Sequence, residues 1–260
     1  MDIVVLLKQV PDLVEELEVD ESGKGLDRSG LKFFLNEFDD HALEQALLLK
    51  EAHGGQVKAL ALDSGDVDES LFTALAKGAD SVAKVTGDFE GGVDSHKAAR
   101  IFEGILKEAA YDLILTGVQA IDDLDGQVGA MVSSYLGLPY VGVISGVRLD
   151  EGARAATVRK EYPGGVLSEI RVQLPAVFGI QAAARPPRYV PIARIRQTMR
   201  TAKIEEVPAP ESGPCSSPPG LRIRRMLKPE VGQGAEIISG SAEEVVSRIV
   251  GILSEKGLVR

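Results

Sequence analysis

The sequence predicts an α/β protein of the three-layer α/β/α, Rossmann-like kind, built on a mostly parallel sheet. Three observations carry that expectation. Short apolar runs alternate with amphipathic stretches through the first half, the order of strands joined by helical crossovers. A length of 260 residues with 44% apolar content is enough to bury one large core. A polar turn bearing three glycines follows one of the buried runs, where open parallel sheets bind their ligands.

Ile3 to Leu7 reads as the first strand, an apolar run too short and too poor in flanking basic and small residues for a cleaved leader. Asp39 to Ala52 places Ala42, Leu43, Ala46, Leu47 and Leu49 at helical spacing, and Val57 to Leu62 is the second strand. Glu69 to Lys77 is a short helix, Ser81 to Val85 a strand, Ser95 to Ala109 a helix, and Leu113 to Thr116 a buried strand. Gly126 to Leu136 is again helical. After Pro139 the texture changes: Val143 to Asp150, Arg154 to Tyr162 and Ser168 to Leu174 alternate, with Gly152 and Gly164-Gly165 as turn signals, which predicts an antiparallel excursion over about 143–174. Ala176 to Ile180 resumes the apolar strands and closes a nucleotide-binding domain spanning 1–184.

Residues 185–206 form a basic loop, with six basic and no acidic residues from Arg185 to Lys203, and Pro186, Pro187 and Pro191 argue against an ordinary helix start there. From Val207 to Gly220 the chain is rich in Pro, Ser and Gly and reads as the linker of an arm, 207–260. Ser241 to Lys256 is a final amphipathic helix, opened by a capping box of Ser241 with Glu244 and closed by Gly257. Such a helix needs another surface to cover its apolar face, and a partner chain is one.

Composition excludes several classes. A formal net charge of -10 is wrong for a general nucleic-acid or anionic-membrane binder. No segment reaches the roughly 20 apolar residues of a bilayer-spanning helix. Cys215 is the sole cysteine, so no internal disulfide forms and a reducing, cytoplasmic setting is expected. With His41, His53 and His96 scattered, no metal is expected. His41 reads as an exposed helix residue, because no nucleophile stands beside it in a familiar motif.

The most informative segment is Gly117 to Gly129, GVQAIDDLDGQVG, between a buried strand and a helix. Gly117, Gly126 and Gly129 allow close approach of backbone to a ligand, and amides at the following helix start can accept a phosphate. Gln119 and Gln127 can donate to phosphate or adenine, while Asp122, Asp123 and Asp125 suit ribose hydroxyls or a helix cap. An acidic capped turn with no ligand is the plainer reading of the same residues. Lys8, ending the first strand, either reaches a phosphate or is solvated. Gly91-Gly92-Val93-Asp94-Ser95 mimics a phosphate loop but does not directly follow the first strand, so a turn with Asp94 or Ser95 capping a helix is expected.

The same segment resembles the nucleotide-binding loop of electron transfer flavoprotein beta subunits, whose form begins G-x-Q-A-I-D and continues to Q-x-G. VLLKQVPD at Val5 to Asp12, NEFDDHALEQALLLKE at Asn36 to Glu51, PRY at Pro187 to Tyr189 and a proline-rich tail follow in the family's order, so the resemblance covers nearly the whole chain. It implies an adenine nucleotide, usually AMP and in bifurcating members a second FAD, held by Leu6, by Asn36, Glu37, Phe38 and Asp39, and by Ser64. The run Val118, Gln119, Ala120, Ile121, Asp122, Asp123, Leu124, Asp125, Gly126, Gln127, Val128 and Gly129 completes that set. Asp122-Asp123 resembles the AMP form and Gln127-Val128-Gly129 the bifurcating form, while Leu124 departs from the acidic residue of both.

By the same resemblance the chain forms a heterodimer with an alpha subunit that holds the catalytic FAD. The resemblance also implies that the basic segment docks on dehydrogenases, with Ile192 as apolar anchor and Arg188, Arg194, Arg196 and Arg200 as charged rim; a solvated basic loop is the alternative. The implied function is an electron carrier without bond chemistry of its own. An ATP-using enzyme or a nucleotide sensor of the related adenine nucleotide α-hydrolase-like fold is the competing reading.

Overall fold

The structure, a computed structural model, describes residues 1–65, 67–89, 92–123, 125–150, 154–210, 222–230, 232 and 234–259. In chain order its elements begin with β1 (Asp2–Leu7), β2 (Gln9–Pro11), β3 (Phe33–Leu35), α1 (Glu37–His53), β4 (Gln56–Leu62), α2 (Asp68–Lys77), β5 (Ser81–Thr86) and α3 (Ser95–Leu106). They continue with β6 (Leu113–Gly117), α4 (Val128–Leu136), β7 (Tyr140–Leu149), β8 (Ala155–Tyr162), β9 (Val166–Gln173), β10 (Ala176–Ile180), α5 (Ile192–Thr201), β11 (Glu205–Pro208) and α6 (Ala242–Glu255).

β1 shows why the sheet is central. Ile3, Val5 and Leu7 are buried in one hydrophobic cluster, and Val4 and Leu6 in another on the opposite face. A strand apolar on both sides must be covered on both. α1 and α2 supply one cover through Leu43, Leu47 and Leu71; α3 and α4 supply the other through Phe102, Leu106 and Val132. The expected three layers are present.

The strand order is β11-β5-β4-β1-β6-β10-β7-β8-β9, and only β8 runs against its neighbours. From β1 the chain steps by α1 to β4 and by α2 to β5, then crosses back over α3 to lay β6 on the other flank of β1. The ends of β1 and β6 therefore frame the crevice where the winding reverses. Among the described residues no helix is long and apolar enough to cross a membrane.

Several expectations are corrected. β7 hydrogen-bonds in parallel to β10, so it belongs to the main sheet, and the antiparallel part of the excursion is β8 and β9. Val143 is skipped in the β7–β10 register and has φ 61, an unfavourable conformation for a β-branched residue, as a bulge there requires. The basic segment is not all loop: α5 begins directly after Pro191, whose φ of -61 and missing amide suit a helix entrance. The presumed linker start is edge strand β11, with Pro208 at its end, where edge strands tolerate proline. The pair β2 and β3 was not expected. Gly91, Leu124, Gly152 and the linker residues 211–221, with Cys215, lie outside the described residues.

One stripe of α1 receives the segment before α5. His41 Nδ1 accepts from the Ala183 amide at 3.2 Å and Gln45 Oε1 from the Ala184 amide at 3.1 Å. Glu44 accepts the Arg188 amide at 3.0 Å and both Nε and Nη2 at 2.9 Å, and Glu51 takes Nη1 at 2.6 Å. The spacing 41, 44, 45 and 51 puts all four on one side of the helix. His41 is thus an acceptor that ties the segment down rather than an exposed residue. Burial alone would raise the Glu44 carboxyl, but Arg188 outweighs it and holds the group below the usual carboxylate range.

Arg188→Ala leaves Glu44, only 3% exposed, without its partner. The expected loss of stability is about 2 kcal/mol by denaturant unfolding near neutral pH. Because the folded Glu44 pKa is depressed, the wild-type advantage is present above the ordinary carboxyl pKa and shrinks as pH falls through the folded value. A difference independent of pH in that range would mean that Glu44 is not the carboxylate responsible.

Candidate functional site

At the crevice the buried carboxylate of Asp39, in the first turn of α1, accepts the Lys8 amide on Oδ2 and the Gly117 amide on Oδ1, each at 2.8 Å. These amides end β1 and β6, so one side chain laces the two strands where they diverge. Asn36 adds two threads: its amide donates to the Lys8 carbonyl at 2.9 Å, and Nδ2 donates to the Gln119 carbonyl at 2.9 Å. Burial raises the Asp39 carboxyl to about 7, against the opposing pull of the Gly117 and Lys8 amides.

Below this lacing opens a cavity of about 210 Å³. Of the residues expected to hold a ligand, Leu6 lines it from β1, Asn36 and Asp39 from the start of α1, and Ser64 from the end of β4. The loop after β6 contributes Val118, Gln119, Ala120, Asp122, Asp123 and Gly126, and α4 contributes Val128. Glu37, Phe38, Ile121, Asp125, Gln127 and Gly129 stand outside its lining, and Leu124 is not among the described residues. Sequence reasoning missed Arg28, Phe33 and Gly65, which reach the cavity from the β2–β3 connection, from the start of β3 and from beyond β4. It also missed Phe102 and Ala98 of α3, an apolar wall whose helical spacing signals only core.

Lys8 and the loop aspartates are already committed. Lys8 Nζ pairs with Asp122 at 2.7 Å and Asp123 at 3.1 Å. Burial would lower the Lys8 pKa, but these two carboxylates outweigh it and hold it above the ordinary lysine value. Asp125 accepts from Ser95 Oγ at 3.0 Å, tying the loop to the start of α3. None of the three aspartates caps α4, whose entrance carries no side-chain cap, so the capped-turn alternative does not describe this loop. Asp94 is the N-cap of α3, accepting the Lys97 amide at 2.7 Å, as the sequence suggested.

The loop glycines have causes within the protein. A Cβ on Gly117 would strike Asp39, one on Gly126 would lie 2.6 Å from the Val118 carbonyl oxygen, and one on Gly129 would lie 2.7 Å from Thr116 Oγ1. Gly126 also has φ 60. These bare positions let the loop fold against its own strand and helix, which is a different role from close approach to a ligand. Thr116 is among the cavity's residues, and its Oγ1 is buried beside Gly129 without a hydrogen-bond partner among the described residues. An uncapped helix start and an apolar wall in one cavity fit the phosphate and base of a nucleotide.

The expected docking residues divide. Ile192, Arg194, Arg196 and Arg200 are exposed on α5, and none of these arginines pairs with a carboxylate among the described residues. Arg188, expected in the same rim, instead has its charge compensated by Glu44 and Glu51. α6 buries none of its residues; Val246, Ile249 and Val250, on one face, are exposed. Its capping box of Ser241 and Glu244 is formed.

Comparison with known proteins adds the family. The model described as "Electron transfer flavoprotein domain" matches residues 24–212. The chain is 36% identical to the electron transfer flavoprotein subunit beta of Methylophilus methylotrophus, covering 98% of each chain. It is 30% identical to that of Clostridium acetobutylicum, covering 98% of this chain and 99% of the relative. It is also 30% identical to the caffeyl-CoA reductase-Etf complex subunit CarD of Acetobacterium woodii over the full length of both.

The Asp39 lacing makes a pH prediction. Its folded pKa lies above the unfolded value, so the folded state holds more protons from about pH 4 to 7. Over that window wild-type stability should fall as pH rises, by up to roughly 4 kcal/mol, and level off above it. Asp39→Asn should be less stable at low pH, because one of the two amides loses its acceptor, and should lack this slope. Parallel stability curves for the two proteins from pH 4 to 7 would show that Asp39 titrates as an ordinary carboxyl.

Proposed function

Because this chain belongs to the electron transfer flavoprotein family as a beta subunit, we propose that its cavity holds the adenosine phosphate that AMP and FAD have in common. Electron transport, as one half of a heterodimer with an alpha subunit, is the function of the family. The observation that supports the nucleotide is the uncapped α4 start, whose Val128 lines the same cavity as the apolar Leu6, Leu62 and Phe102 at the winding reversal. The phosphate belongs at that helix start, where unpaired amides and the helix dipole favour an anion. Leu6, Leu62 and Phe102 give the base an apolar wall.

FAD, held mainly by the alpha subunit, supplies the redox chemistry when bound, taking up one or two electrons. This chain's residues bind and position. Lys8 offsets one of the two negative charges of Asp122 and Asp123 beside the cavity, so the repulsion a phosphate would meet there is reduced but not removed. AMP as a structural tenant is the simpler occupant; a second FAD is the bifurcating one. α6 covers its apolar face on the alpha subunit, and α5 presents Ile192 with Arg194, Arg196 and Arg200 to dehydrogenases in the cytoplasm. The ATP-using alternative needs a glycine-rich loop after β1, whereas the chain passes through Lys8 straight into β2.

Co-expression with the neighbouring reading frame is the test. The expected product is a yellow 1:1 complex from which extraction yields FAD and an adenine nucleotide: one FAD with one AMP for a simple carrier, two FAD for a bifurcating one. A colourless chain that hydrolyses ATP would reverse the proposal. Val246→Asp with Val250→Asp should abolish co-purification while leaving the fold of the sheet intact, since α6 buries nothing within the chain. Retained complex formation would place the contact elsewhere.

A further inference from the structure

Arg28 stands out among the cavity's residues. It comes from the connection between β2 and β3, is exposed, and has no carboxylate partner among the described residues. Its Nη1 donates to the Ser64 carbonyl at 2.8 Å, and its guanidinium carbon stands 4.6 Å from the centroid of the Phe33 ring. Gly65, at φ 127, leaves the room it needs, for a Cβ there would lie 2.5 Å from Nη2. A guanidinium stacked on one ring keeps its second planar face and further N–H donors for something else.

Position decides what that is. Ser64 and Gly65 follow β4, whereas Thr116 stands near the end of β6 and the α4 entrance follows it, and β1 lies between these strands. Two strand spacings put the corners roughly 10 Å apart. A phosphate at the α4 start therefore leaves Arg28 near the other end of the nucleotide. Lys8, the other cavity cation, is neutralised by Asp122 and Asp123, so no concentrated positive field gathers a second phosphate beside Arg28.

We propose that Arg28 is the residue that recognises the base, a clamp carried by the β2–β3 connection that lays its free face or its N–H edge against the purine. This rests on the nucleotide reading above and deepens it. Phe33 and the Ser64 carbonyl pre-organise the clamp, and Gly65 is the vacancy that admits it.

The test is titration of the full-length chain, in complex with its alpha subunit and stripped of nucleotide, with AMP and with ribose 5-phosphate. Arg28→Ala should weaken AMP by roughly tenfold and leave ribose 5-phosphate unchanged; the unchanged ligand also reports that the variant is folded. Arg28→Lys, which keeps the charge but loses the planar guanidinium, should give the same selective loss. Equal weakening of both ligands would mean that Arg28 meets the phosphate, and undiminished AMP binding would mean that it meets nothing; either overturns the assignment. If wild type binds neither ligand, the nucleotide reading itself fails, which is a separate outcome.

Discussion

The arrangement of the crevice depends on a carboxylate kept out of water. Parallel strands diverge where the winding reverses, and their terminal amides would be left without partners. Asp39 supplies both acceptors from a helix that packs across β1 and β6. The cost is burial, which lifts the carboxyl to about 7 and places its charge near the edge of neutrality under physiological conditions. Opening a ligand cavity beside so tight a junction is feasible because Asn36 holds the next stretch of loop through the Gln119 carbonyl.

The loop after β6 follows from that lacing. Gly117 must be bare because Asp39 occupies the space of its side chain, and Gly129 must be bare because Thr116 approaches it. The glycine pattern is therefore a record of protein packing. The acidic residues of the loop have the same character: Asp122 and Asp123 meet Lys8 and Asp125 meets Ser95, so the loop is braced on two sides while the α4 entrance stays uncapped.

Much of this was legible in the sequence because the signals were local. Burial of both faces of β1, the helical spacing of Leu43 and Leu47, and the box of Ser241 with Glu244 each lie within a few residues of one another. The rest was hidden for identifiable reasons. β2 and β3 have three residues each, too few to show alternation. α5 was obscured by prolines that in fact precede its first turn. Arg188 looked like one more member of a basic run because its partners, Glu44 and Glu51, are 144 and 137 residues away along the chain. Arg28 was passed over for the same cause, since only folding brings it to Ser64 and Gly65.

Helix α6 carries a consequence for the life of the polypeptide in the cell. Val246, Ile249 and Val250 form an oily strip that the described residues of this chain leave exposed. On the pairing proposed for α6, a copy synthesised in excess of its companion would display that strip to chaperones and proteases, while a paired copy would hide it. Matched supply of the two gene products could then be enforced after translation, by removal of whichever molecules fail to find a mate.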